Sequence, residues 1–222
     1  MTATSDAADA GLFDIIATTR SMRRLKPDPV PEELIRRILE AAVCAPSGGN
    51  MQGWRFLVIA DRKVKEEVAV YYRRAWEEYV GPGYRSGPPA PGSSPERFSR
   101  MLNAAQYLSD HLHEAPVWII PCLTGSSVWG TIPYWSGSSI YPAVQNMLLA
   151  ARAIGLGATL TTLILRYVDE VKTVLGLPPD VQPYALVPIG WPMGRFGPVR
   201  RSLDNVVYGD RWGEPYRGLD SA

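Results

Sequence analysis

Cysteine, histidine and charge of a single sign are all scarce in this chain. Its 222 residues hold two cysteines, Cys44 and Cys122, too few for a disulfide framework and at a separation that fits no metal-ligand spacing. Both read as small core residues of a protein kept in a reduced, cytoplasmic compartment. Lys plus Arg number 23 against 22 Asp plus Glu, a net charge of +1. That balance excludes a whole-surface field able to recruit nucleic acid or an anionic membrane. The longest apolar run, Ala115 to Leu123, falls far short of the roughly 20 residues of a membrane-spanning helix. The two histidines, His111 and His113, sit two apart on a helical pattern and face different directions, so neither a metal centre nor a triad is expected. No GxxxxGK[ST], GxSxG or HExxH motif occurs, and Gly155-Leu156-Gly157 follows a helical pattern, the wrong order for a dinucleotide turn. Residues 1–11 carry neither a basic start nor an apolar stretch and are expected to be a frayed tail, not a signal peptide.

What is present alternates between helical and strand patterns. Leu12, Phe13 and Ile16 have helical spacing, in a pattern that runs through Arg20-Ser21-Met22-Arg23-Arg24 to a stop at Lys26-Pro27-Asp28-Pro29. A second helix opens at Pro31 with Glu32 and Glu33, and repeats Leu34, Ile35, Ile38, Leu39, Ala42 and Val43. Ala45 to Gly53 reads as a loop and Trp54 to Ile59 as a strand. An amphipathic helix follows over Lys63 to Tyr79. Gly81 to Pro95, punctuated by Pro and Gly, predicts an irregular mobile excursion, with 81–97 long enough to act as a lid. Phe98 to His113 predicts a helix, Pro116 to Leu123 a central strand, and Ile140 to Ile154 a helix through the middle of the molecule. Ala158 to Leu165 is threonine-rich and β-prone, Asp169 to Leu175 a short helix, and Tyr184 to Ile189 another strand. The rhythm is not that of a doubly wound fold, so the class is α+β, a sheet flanked by several helices.

Three clusters are rich in donors. Arg20, Ser21 and Arg23 combine guanidinium forks with a hydroxyl, which suits a phosphate monoester. Pro46, Ser47, Gly48, Asn50 and Gln52 offer a hydroxyl, amides and a close-approaching backbone to a planar ring. Arg200 and Arg201, after Pro198, could supply a second cationic arm.

These clusters, in this order, with Gln145-Asn146-Met147-Leu148-Leu149-Ala150-Ala151 running into Gly155-Leu156-Gly157 and with Gly190-Trp191-Pro192 later on, closely resemble the FMN-dependent nitroreductase family. The resemblance covers Phe13 to Trp212. It implies one domain over 12–216 with a central, mostly antiparallel sheet flanked by helices, and a homodimer whose extended termini, here 198–222, wrap the partner, with FMN sites at the subunit interface. Arg20, Ser21 and Arg23 would then hold the phosphate and ribityl chain, with Arg200 or Arg201 closing on the phosphate. Pro46, Ser47, Gly48 and Asn50, with Gln52 as a further polar group, would reach the flavin of the other subunit. Leu160, Thr161 and Thr162 would lie along the isoalloxazine edge. The implied activity is ping-pong hydride transfer from NADH or NADPH to a nitroaromatic, quinone or similar planar acceptor, with no side chain acting as nucleophile or base. Relatives with dehalogenating or flavin-destroying chemistry, or a flavin-binding regulator without turnover, are the alternatives. Gly53 departs from the proline usual before the tryptophan, and Leu25 from the usual aromatic. Trp129, Tyr134 and Trp135, in a Gly/Ser-rich stretch, could stack a planar substrate.

Overall fold

The structure, a computed structural model, describes residues 11–88, 93–124, 136–198, 203 and 206–216. Its centre is β2 (Val117–Thr124), in which every residue but the last is buried. β1 (Trp54–Ile59) pairs antiparallel along one side, from Trp54 opposite Leu123 to Ile59 opposite Trp118. On the other side β5 (Val187–Gly190) covers Val117 to Ile119 and β4 (Val181–Pro183) covers Cys122 to Thr124, both antiparallel. β3 (Gly157–Ala158) completes the order β1-β2-β5-β3.

Alternation along β2 sends its side chains to two separate cores. Val117 and Ile119 pack with Ile35, Ile38 and Ala42 of α2 (Glu32–Val43) and with Ala143, Val144, Met147 and Ala151 of α6 (Gly137–Ala153). Trp118, Ile120 and Cys122 face Val68, Ala69 and Tyr72 of α3 (Arg62–Ala75) and Leu108 of α5 (Pro95–His111), with Val171 of α7 (Val168–Leu175). The sheet is therefore a middle layer between helices. Helix α6 is lined by buried residues through most of its length, as its composition predicts. Gly176, at φ 61°, ends α7 in the left-handed conformation that glycine adopts most readily.

Four local expectations give way to tertiary contacts. The first helix, α1 (Leu12–Thr18), stops just before the basic cluster instead of running through it, and its buried residue is Ile15 rather than Leu12, Phe13 or Ile16. Beyond it the chain is extended, because its backbone bonds go to the sheet edge. Met22 N donates to Ala158 O at 2.9 Å, Lys26 N to Trp191 O at 2.8 Å, and Met193 N to Arg24 O at 3.1 Å. Residues 81–86 are helical rather than irregular: α3 passes through a π turn (Trp76–Val80) into α4 (Gly81–Ser86). Gly81 N donates back to Trp76 O, so the ladder changes pitch where Pro82 has no donor to offer. Pro95 then opens α5, capped by Ser94, while 89–92 lie outside the described residues.

In the third case the β-prone 158–165 stretch yields only the short β3, an isolated bridge between Thr161 and Leu186, and a 3-10 turn (Leu163–Tyr167). The fourth correction concerns the thiols: Cys122 is buried but Cys44 is exposed, since Cys44 follows α2 just past the face that carries Ala42 inward. Burial pushes the Cys122 thiol up to about 11. Ellman's reagent is expected to label Cys44 in the native protein and Cys122 only after unfolding. Equal labelling rates for the two would contradict this placement.

Candidate functional site

The extended segment after α1 is pinned so that its residues divide the work. Met22 and Leu25 are buried against β3 and the sheet, which leaves Arg20, Ser21 and Arg23 facing an open cleft of about 1060 Å³. Close approach makes this possible. A Cβ on Gly157 would stand 2.9 Å from both Leu25 Cδ2 and Met22 Cβ, so only glycine lets the segment lie against β3.

The other walls come from distant parts of the chain. Gln145, Leu148 and Arg152 enter from α6, Arg97, Arg100, Met101 and Ala104 from α5, and Ala158 and Thr159 from the strand end. Phe196 and Pro198 close the far side, so the segment leading to Arg200 and Arg201 reaches this cleft. Arg200 and Arg201 themselves lie outside the described residues, as do Trp129, Tyr134 and Trp135.

Thr159 is 1% exposed, yet its Oγ1 has no hydrogen-bond partner among the described residues. A buried hydroxyl left unpaired costs about 1 to 3 kcal/mol. Beside two free guanidinium groups and a serine hydroxyl, it marks a cleft whose donor set fits a phosphorylated, polyhydroxylated ligand.

The neighbouring threonine differs. Thr161 is buried, its backbone exchanges hydrogen bonds with Leu186, and its hydroxyl donates to Tyr72 Oη at 3.2 Å. Burial pushes the Tyr72 phenol above its ordinary range, keeping it a neutral partner. Leu160 and Thr162 on either side are exposed. All three follow directly on cleft-lining Thr159 without lining the cleft themselves.

The loop after α2 stands apart from the cleft in the same chain. It is tightly organised: Gln52 N donates to Ser47 Oγ at 3.0 Å, Gly48 N to Ser139 Oγ at 3.0 Å, and Gln52 Nε2 to Asn50 Oδ1 at 2.9 Å. Gly49, Asn50 and Gln52 have φ of 56°, 54° and 50°. Left-handed backbone at Gln52 is strained, and such strain collects where a loop must hold a shape for a ligand. Pro46, Gly48, Asn50 and Gln52 are exposed and Ser47 half-buried, so the loop presents itself outward.

The match to known proteins covers this whole frame. The sequence model described as "Nitroreductase family" matches residues 16–191, from α1 to the residue after β5. The chain belongs to the nitroreductase family. Among its relatives, an NADH dehydrogenase of Thermus thermophilus is 30% identical over 197 residues, covering 85% of this chain and 90% of the relative. Iodotyrosine deiodinase 1 of Rattus norvegicus is 28% identical, over 88% of this chain and 68% of the deiodinase. A solved iodotyrosine deiodinase, bound to FMN and 3-iodo-L-tyrosine, superposes with a TM-score of 0.67 at 26% identity, covering 86% of this chain and 95% of that one. The α+β class with its mostly antiparallel sheet is thus the nitroreductase fold.

Of the residues that line this cleft in the nitroreductase-family chain, sequence reasoning singled out Arg20, Ser21 and Arg23 but not Thr159, Arg97 or Arg100. Arg97 and Arg100 look like the solvated side of a helix, and Thr159 is one threonine among several. Gln145 opens the quoted family motif and Arg152 follows its Ala151, with no role assigned to either from the sequence. Among the described residues no cluster of His, Cys, Asp or Glu could hold a metal, and His111 instead pairs with Glu114 at 3.0 Å. No described helix is long and apolar enough to cross a membrane.

Thr159→Val removes the orphan hydroxyl at nearly constant volume. Affinity for the cleft's ligand is expected to fall about 5- to 10-fold while stability stays level or rises. Fluorescence titration with FMN and a thermal melt read the two effects separately, and unchanged affinity would remove Thr159 from the site.

Proposed function

We propose that the chain is an FMN-dependent NAD(P)H oxidoreductase that works as a homodimer in the cytoplasm, by a ping-pong sequence. The observation that carries the reading is the cleft in which Arg20, Ser21 and Arg23 meet the unpartnered Thr159 hydroxyl. The FMN named for the solved deiodinase relative supports it.

FMN, when bound, supplies the redox chemistry: hydride accepted from a reduced nicotinamide and electrons passed to a nitro, quinone or similar planar acceptor. The protein's part is holding and shaping. Arg20 and Arg23 neutralise the phosphate and Ser21 donates to it, with Arg200 or Arg201 as the closing arm. Thr159 and Gln145 face the ribityl hydroxyls. Leu160, Thr161 and Thr162 border the ring edge.

The outward loop of Pro46, Ser47, Gly48, Asn50 and Gln52 serves the flavin of the other subunit. Exposed apolar side chains on the isolated chain support the dimer: Phe13 is 83% exposed, Leu12 64% and Trp212 89%. Such a set is covered when termini exchange across an interface. Trp129, Tyr134 and Trp135 stack the planar acceptor, and 81–97 covers it.

The test is a visible spectrum of the purified protein, taken before and after anaerobic NADPH and then NADH, with the released chromophore identified by mass. A flavin spectrum that bleaches with either donor and returns with a nitroaromatic or quinone supports the reading. Return with 3-iodotyrosine alone would favour the dehalogenating alternative, which the deiodinase relatives bring forward. A colourless protein unable to take up FMN would overturn both.

A further inference from the structure

The cleft carries more positive charge than one flavin phosphate uses. Arg20, Arg23, Arg97, Arg100 and Arg152 line it, and no Asp or Glu is among the lining residues. A phosphate monoester brings about two negative charges, which Arg20 and Arg23 match. Arg152 is engaged elsewhere: its Nε donates to Thr18 Oγ1 at 3.0 Å and its guanidinium lies 4.3 Å from the Phe196 ring centroid.

Arg97 and Arg100 remain. They stand three apart on α5 and therefore share a helical face. Both are exposed, and neither guanidinium has a hydrogen bond or ion pair with another described residue. Glu96, beside them, takes a hydrogen bond from Ser94, which lowers its carboxyl most, and feels the Arg100 charge as a weaker attraction without an ion pair. The cleft, at about 1060 Å³, stands at the upper end of the range for ligand pockets, about 1,000 Å³.

We propose that Arg97 and Arg100 form a second anion subsite, which takes the phosphate or carboxylate of the molecule that exchanges electrons with the flavin. The proposal rests on the FMN reading above. Two guanidinium forks one helical turn apart can grip either oxyanion with paired hydrogen bonds, and an acid-free wall disfavours cationic substrates. A phosphate would belong to the reductant and a carboxylate to the acceptor.

The experiment compares wild type with the Arg97→Gln/Arg100→Gln double variant, both checked by thermal melt. FMN affinity is measured first. Calorimetry then titrates adenosine 2′,5′-bisphosphate, 4-nitrobenzoate and, as a neutral control, nitrobenzene into flavin-loaded and flavin-free protein. The subsite predicts FMN and nitrobenzene affinities within about twofold of wild type, and a loss of about tenfold or more for an anionic probe. Loss for the bisphosphate assigns the subsite to the reductant, and loss for nitrobenzoate assigns it to the acceptor. If the variant binds both anions as wild type does, or wild type binds neither, the subsite does not exist. A comparable loss in FMN affinity would return both arginines to the flavin phosphate and overturn the proposal. Failure of wild type to take up FMN sinks the functional reading alone, because the flavin-free titrations still judge the subsite.

Discussion

Arg20→Ala is expected to strip the protein of its flavin. Arg20 lies in the cleft beside Ser21, with Gly197 next to its guanidinium. A hydrogen bond to a charged group is worth about 1.5 to 3 kcal/mol, and a forked pair sits at the upper end. The FMN dissociation constant should therefore rise roughly 30- to 150-fold, and the variant should purify nearly colourless. Arg20→Lys keeps the charge but loses the fork, and should recover only part of the affinity. Fluorescence quenching on titrating FMN reads both variants. A rise of less than about threefold for Arg20→Ala would show that the phosphate is held elsewhere.

Gly157→Val should damage stability and binding together. The added side chain meets Met22 Cβ and Leu25 Cδ2 at 2.9 Å and Pro192 Cβ at 3.2 Å. Met22 Cβ is fixed to the backbone and cannot turn away, so the segment that carries Arg20 to Arg23 must lift from β3. Overpacking of this kind costs about 3 kcal/mol, or roughly 6 to 12 °C in Tm for a chain of this size. FMN affinity should fall with it, since Arg20, Ser21 and Arg23 lose their anchor at Met22 N to Ala158 O. Gly155→Ala provides the contrast: its φ of 81° is strained for alanine but nothing crowds the site, so stability should drop modestly with affinity retained. A normal melting temperature for Gly157→Val would mean the segment is not seated as described.

The two substitutions separate parts of the site that differ in how far they could be read from sequence. Arg20, Ser21 and Arg23 were legible because they are adjacent and chemically matched to one group. The loop from Pro46 to Gln52 was legible as a loop, but its left-handed Asn50 and Gln52 were not, since backbone conformation at a polar residue leaves no compositional mark. Thr159, Arg97 and Arg100 could not have been found. Thr159 stands at a strand end and the two arginines on α5, and what distinguishes them is a buried hydroxyl and two guanidinium groups with no hydrogen bond or ion pair to another described residue.

By itself the sequence determined the elements whose pattern agrees with their packing. In α2, α6 and α7 the apolar residues fall largely on the buried face, and β2 is apolar and buried almost throughout, so local preference and burial reinforce each other. It also determined the family, through clusters spaced along nearly the whole chain. Only the tertiary structure decided where α1 stops, why residues 81–86 stay helical, and why the threonine-rich stretch after Ala158 yields so little strand. In each case backbone partners from elsewhere outweigh a weak local preference, because a buried peptide group must find its hydrogen bond wherever one is offered. The cleft arises in the same way. Glycine at position 157 lets one chain segment lie against another, and the arginines that the segment carries then face charges of their own sign across a space sized for anionic ligands.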